Sequence, residues 1–186
     1  MHFLPRIANI CQLALGLLLL VANAAHAQLF ATKAQQAFMI DADSGTVLIA
    51  KNADSPVPPA SLAKLMTMEV VFDAITSGKA GMNDTYKVSE YAWRTGGAPS
   101  RTSTMFAALN SEVRLEDLIQ GVIVQSANDG CIIIAEGMAR SEAAFSARMN
   151  SRAQALGMTK SRFVNSTGLP APGQVVTMRE LVTLAN

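Results

Sequence analysis

Histidine is almost missing from this sequence. Its 186 residues hold two, His2 and His26, and both fall within the first 27 positions. Those positions read as a leader: one positive charge at Arg6, a mostly apolar run over Ile7–Val21, and the small-x-small triplet Ala25-His26-Ala27. The expectation is a cleaved secretory signal over residues 1–27, with Gln28 as the mature N-terminus. The clean apolar core, Leu13–Val21, falls far short of the roughly 20 residues that span a bilayer, which argues against a membrane helix there. Once the leader is removed, no histidine remains. A Ser-His-Asp triad, a Cys-His dyad and a His-ligated zinc are then excluded within the chain. Hydrolysis through a nucleophile would have to hand its proton to a lysine or a carboxylate.

Cysteine is scarce too. Of Cys11 and Cys131 only the second survives cleavage, so no internal disulfide forms even in an oxidising compartment. Cys131 sits in an apolar run and reads as a small buried residue. An excess of one charge is also lacking. Removing the leader takes away Arg6 and no acid, leaving 14 basic against 14 acidic residues. That balance gives no basic field for a nucleic-acid partner. Residues 28–186 are long enough for one domain with a real core. The single tryptophan, Trp93, and the ten methionines read as packing.

Along the chain, Ala37–Ile40 and Thr46–Ile49 flank Asp41-Ala-Asp-Ser-Gly45, the pattern of a β-hairpin. Pro58-Pro59 suits the entry to a helix, and Ala60 to about Thr76 reads as one, apolar around nearly its whole circumference and ending near Gly78. Such a helix belongs in the middle of a domain. Residues 79–112 are richer in small and polar types, with extended pieces around Tyr86–Val88 and Thr104–Ala107 and a turn at Gly96-Gly97. Leu115–Gln125 reads as a second apolar helix, broken by Ser126-Ala-Asn-Asp-Gly130 and resumed over Cys131–Ala139. Ser141 can cap a helix over Glu142–Leu156 that Gly157 stops, and Thr177-Met-Arg-Glu180 has capping-box spacing.

Two motifs carry chemistry. Ser61-Leu-Ala-Lys64 places a hydroxyl and an amine one helical turn apart on one face. A serine hydroxyl needs a neighbouring base, and a lysine serves only if desolvation depresses its pKa from roughly 10.4. The apolar surroundings of Lys64 offer that. In the alternative reading, Ser61 only caps a helix and Lys64 snorkels to solvent. Ser126-Ala-Asn128 is a polar break between two apolar helices, whose hydrogen-bonding side chains need partners that a substrate can supply. It also fits an ordinary helix–helix turn with Asn128 and Asp129 as caps.

Together, in an exported chain without histidine, the two motifs resemble the penicillin-recognising serine enzymes. Within these the sequence is similar to the low-molecular-mass D-alanyl-D-alanine carboxypeptidases. The matching stretches are Pro59-Ala-Ser-Leu-Ala-Lys-Leu-Met-Thr67, Gln125-Ser-Ala-Asn-Asp-Gly-Cys131, Met149-Asn150, Ala155-Leu-Gly-Met158, Phe163 and Asn165-Ser-Thr-Gly-Leu169. The resemblance implies an α+β fold of the serine β-lactamase/DD-peptidase type, an antiparallel sheet packed against a helical cluster. It implies Ser61 as nucleophile, Lys64 as general base, Ser126 as proton relay and Asn128 as the substrate-amide anchor, with no metal or cofactor. Substrates would be peptidoglycan stem peptides ending in D-Ala-D-Ala, β-lactams would be covalent inhibitors, and the site of action would be the periplasm or the outer face of the cytoplasmic membrane.

The family's third motif, Lys-Thr-Gly, is absent: Lys33, Lys51, Lys64, Lys79, Lys87 and Lys160 are all followed by other residues. The resemblance places that motif, the last strands of the sheet and a membrane-contacting C-terminal region beyond Asn186, so the expectation is a catalytic domain over residues 28–186, incomplete at its C-terminus. Loss of the oxyanion donor on that strand costs about 10²–10³ in rate. The competing readings are a non-catalytic module that binds β-lactam or peptidoglycan, and a serine β-lactamase. The latter is disfavoured because no glutamate lies between Glu142 and Glu180 to serve deacylation.

Overall fold

The opening hairpin follows from its turn. Asp41 Oδ1 accepts from the Ser44 N–H (2.8 Å) and hydroxyl (2.6 Å), and Gly45 supplies a positive φ of 70°. This joins β1 (Ala37–Ile40) to β2 (Val47–Lys51) antiparallel, with an irregularity between Met39 and Ile40. The computed structural model describes residues 32–186, so the expected leader and its cleavage point lie outside the described residues.

A 3-10 turn over Ala60–Leu62 leads into α1 (Ala63–Thr76), which ends at Gly78 with φ 70°. Next come β3 (Thr85–Lys87), α2 (Glu90–Thr95), β4 (Glu112–Arg114) and α3 (Leu115–Gln125). They are followed by α4 (Asn128–Ala139), α5 (Glu142–Ala155) and α6 (Met178–Ala185). β3 pairs antiparallel with β4 and forms a second two-stranded sheet. The helices pack around α4, against which α2, α3, α5 and β3 all lie, while α1 packs on α5 and α6.

The middle of the domain is therefore α4 rather than α1. Nine of the twelve α4 residues are buried, against eight of fourteen in α1. Leu65 and Phe72, seven residues apart on α1, and Leu62 on the turn before it stay exposed among the described residues. The extended piece expected at Thr104–Ala107 does not become a strand. Phe106 takes a φ of 60°, and the N–H groups of Met105 and Ala107 bond to the Asp129 carboxylate instead of to a strand. The extended partner of β3 is Glu112–Arg114. Helix α2 is only six residues long, too short for a period to register, although Ser89 caps it by accepting from Ala92 N–H at 2.9 Å.

The caps on the later helices are those expected. Ser141 Oγ accepts from Ala144 N–H (3.1 Å), Gly157 takes φ 79° after α5, and Thr177 Oγ1 accepts from Glu180 N–H (3.2 Å). Glu180 does not complete the capping box: its carboxylate accepts from Lys160 N–H and Ser161 Oγ, which ties the loop after α5 to α6.

Candidate active site

Pro59 precedes the 3-10 turn, and Ala60 adopts φ 47°, so the chain turns sharply before entering α1. Ser61 stands exposed on that turn. Lys64, three residues on, is 6% exposed at the start of α1. Lys64 Nζ lies 3.2 Å from Ser61 Oγ and donates to the Thr167 carbonyl at 2.8 Å. The amine does not snorkel. Burial pushes it below the usual lysine range, with nearby Cys131 acting to a smaller extent the other way. The Cys131 thiol is fully buried and pushed up to about 12, chiefly by the same desolvation, so it stays neutral.

The loop that supplies Thr167 is built on α1. Thr67 Oγ1 donates to the Ser166 carbonyl at 2.6 Å. Asn165 Oδ1 accepts from Gly168 N–H (2.8 Å) and Thr167 Oγ1 (3.2 Å), closing a tight turn. Gly168 has φ 84°, and a Cβ there would lie 1.8 Å from the Ala60 carbonyl oxygen. The 165–168 loop and the 60–62 turn thus meet backbone to backbone beside Ser61.

The second motif is shorter as a break than its sequence suggests. Only Ser126, in the left-handed region (φ 52°), and Ala127 separate α3 from α4; Asn128 is the first residue of α4. Ser126 is half-buried, and its hydroxyl has no hydrogen-bond partner among the described residues. The structure therefore bonds Ser61 to Lys64 but bonds Ser126 to neither. Asn128 is buried, with its N–H bonded to Ser103 O (2.8 Å) and its Nδ2 to Thr102 Oγ1 (2.9 Å). Asn128 does not cap α4 with its side chain, whereas Asp129 accepts from the first-turn N–H of Gly130.

Asp129 has a different task, which the sequence did not mark. Fully buried, it accepts from Met105 N–H and Gly130 N–H (both 3.0 Å) at Oδ1, and from Thr104 Oγ1 (2.7 Å) and Ala107 N–H (3.1 Å) at Oδ2. It pins the 102–107 loop to the helix that carries Asn128. Gly96 lets α2 close on the same point, since a Cβ there would meet Asp129 N at 2.4 Å. Asp129→Asn would set an amide N–H₂ against this ring of donors. The expected loss is about 2–3 kcal/mol in chemical denaturation; a midpoint equal to wild type would show that the loop does not depend on the carboxylate.

Thr167, Ser166, Thr67 and Glu142, which accepts from Ser166, were likewise unmarked as site residues. The signal available for them was the Asn165-Ser-Thr-Gly168 stretch of the family resemblance, which assigns no contacts.

Comparison with known proteins places this geometry in context. A peptidase family described as D-alanyl-D-alanine carboxypeptidase matches residues 21–186. The chain is 42% identical over 147 residues to the D-alanyl-D-alanine carboxypeptidase DacC of Escherichia coli, covering 78% of this chain and 37% of that protein. Penicillin binding protein 5 from Haemophilus influenzae superposes with a TM-score of 0.79 at 35% identity, covering 84% of this chain and 45% of the other. A penicillin-binding protein of Listeria monocytogenes in its ampicillin-bound form gives a TM-score of 0.67 at 27% identity, covering 84% and 61%. This chain spans 37–39% of the length of the carboxypeptidases DacC, DacF and DacA. With its helical cluster, small antiparallel sheets and Ser61–Lys64 pair, the chain belongs to the D-alanyl-D-alanine carboxypeptidase family of serine peptidases.

Proposed function

We propose that the protein is a serine-type D-Ala-D-Ala carboxypeptidase that removes the terminal D-alanine from peptidoglycan stem peptides, through an ester on Ser61. The observation that carries the reading is the buried Lys64 amine 3.2 Å from the exposed Ser61 hydroxyl. A depressed lysine is uncharged for a larger fraction of the time at neutral pH, and its lone pair can then take the serine proton.

The steps follow from that pair. Ser61 Oγ attacks the carbonyl carbon between the two terminal D-alanines as its proton passes to Lys64 Nζ. The tetrahedral intermediate collapses when a proton, relayed through Ser126, reaches the nitrogen of the departing D-alanine. The peptide remains as an ester on Ser61. Water, deprotonated by the same amine, then cleaves the ester and restores the serine. Asn128 sits at the start of α4, where it would hold the substrate's backbone amide. β-Lactams would enter the first step and stay attached, because their leaving nitrogen remains tethered to the acyl group. The ampicillin-bound form of the Listeria relative supports that expectation.

The leader pattern of residues 1–27 supports export, and the proposed site of action is the periplasm or the outer face of the cytoplasmic membrane, where the stem peptides lie. Peripheral membrane contact through regions beyond Asn186 belongs to the same proposal. Intact-mass measurement of the purified chain after incubation with penicillin tests the chemistry. The expected result is an adduct of one penicillin that Ser61→Ala abolishes. A folded chain that gains no mass, or an adduct that survives Ser61→Ala, would remove Ser61 from the role.

A further inference from the structure

Glu142 opens α5 as a first-turn acid, and its sequence position alone gives it no more than a favourable place on the helix dipole. Its contacts point elsewhere. Oε1 accepts twice from Ser166, from the N–H at 3.1 Å and the hydroxyl at 2.6 Å, and Oε2 accepts from the Tyr91 hydroxyl at 3.0 Å. All three donors are neutral, and no lysine or arginine among the described residues forms an ion pair with it.

Ser166 is fully buried and is gripped from the opposite side as well, its carbonyl accepting from Thr67 of α1. The next carbonyl along, that of Thr167, accepts from Lys64. A continuous chain of bonds therefore runs from Glu142 through the Ser166–Thr167 backbone to the amine beside Ser61. A cavity of about 420 Å³, with Tyr91, Glu142, Asn165 and Thr167 in its wall, lies against this chain, so solvent stands next to it.

We infer that Glu142 is a positioning residue for the Ser61–Lys64 pair: it fixes the Ser166–Thr167 backbone from α5 so that the Thr167 carbonyl orients the Lys64 amine and water is kept from it. The inference rests on the reading of Ser61 as the acylated nucleophile. An uncharged amine has two N–H bonds and one lone pair. With one N–H committed to Thr167, the lone pair is free to face Ser61 Oγ. Without Glu142, Ser166 keeps only its carbonyl anchor on Thr67, the loop can lift from α5, and the amine loses both its orientation and its dry surroundings.

Water reaching Lys64 weakens the desolvation that depresses it. Its pKa returns toward the ordinary lysine value of 10.5, and the uncharged fraction at a given pH falls. The acid limb of acylation then moves to higher pH. The ionisable groups facing the cluster are Cys131, Asp129 and Glu136 on α4, Tyr91 on α2 and Glu142 itself on α5.

The test is the second-order rate constant for acylation by a fluorescent penicillin, measured across pH on the full chain. Glu142→Ala is expected to lower it about 10–100-fold near neutral pH and to displace the acid limb upward. Glu142→Gln, which keeps one acceptor oxygen, should recover part of both effects. Glu116→Ala removes a first-turn acid from α3 and should leave rate and limb at wild-type values, separating positioning from helix-dipole effects. Wild-type rate and limb in Glu142→Ala overturn the inference, as does a loss that is uniform in pH and matches the unfolded fraction by circular dichroism. If Glu142→Ala does not fold, Glu142→Gln and Ser166→Ala carry the same comparison, and an unmoved limb in both overturns it. No labelling of wild type, or labelling that survives Ser61→Ala, overturns the reading of the site and this inference with it.

Discussion

Lys64→Met is expected to reduce acylation by β-lactam about 10³-fold and to leave a folded chain whose stability relative to wild type depends on pH. The rate loss follows from removing the base nearest Ser61, at 3.2 Å. The stability effect follows from burial. Lys64 is 6% exposed, and desolvation holds its pKa below the 10.5 of an ordinary lysine. Between the folded and unfolded pKa values the unfolded chain binds the proton and the folded chain does not, so wild-type stability rises with pH across that window. The penalty for burying the charged amine is therefore largest below the folded pKa and fades toward pH 10.5. Methionine carries no such penalty. Its advantage should be greatest at low pH and shrink as pH rises, offset throughout by about 1–3 kcal/mol for the Thr167 carbonyl left without its donor. Stopped-flow acylation and urea denaturation at several pH values check both halves. Acylation at the wild-type rate would take Lys64 out of the chemistry, and a stability difference flat in pH would show that the amine is not desolvated.

What the sequence disclosed of this site was what is local in it. Ser61 and Lys64 are one turn apart, and the spacing itself delivers their contact. The helix ends at Gly78, Ser141, Gly157 and Thr177 were legible because capping is decided within three or four residues. The partners that complete the site are remote. Lys64 and Thr167 are separated by 103 positions, Thr67 and Ser166 by 99, Glu142 and Ser166 by 24 and Asp129 and Thr104 by 25. No periodicity encodes such pairs, because a glutamate in a first turn looks the same whether it faces solvent or a loop. The extended piece read at Thr104–Ala107 pairs with no strand for the same reason: its residue types suit an extended backbone, but Asp129 takes the N–H groups of Met105 and Ala107. The sequence places the start of α4 too late, at Cys131, for a related reason. Asn128, Asp129 and Gly130 looked like a polar break, yet all three are buried in its first turn.

Gly168→Ala is expected to reduce acylation about 100-fold and to destabilise the chain by about 2–4 kcal/mol, from overpacking and from a positive φ forced on a residue with a Cβ. The new carbon would lie 1.8 Å from Ala60 O, a backbone atom that cannot swing aside as a side-chain tip would. Ala60 is itself held at φ 47°, so its turn has little slack. One of two segments must move. If the 165–168 loop yields, the Thr167–Lys64 bond of 2.8 Å and the Ser166–Thr67 bond of 2.6 Å lengthen together. If the 60–62 turn yields, Ser61 moves away from Lys64. Both routes open the pair on which acylation depends. Gly157→Ala separates crowding from backbone strain, because Gly157 has φ 79° but nothing within 4 Å of a Cβ. It should lose about 1 kcal/mol and keep the wild-type acylation rate. Denaturation midpoints and acylation rates of the two variants, measured side by side, decide the matter. If Gly168→Ala behaves like Gly157→Ala in both, the backbone junction at Ala60 is not what holds Ser61 against Lys64.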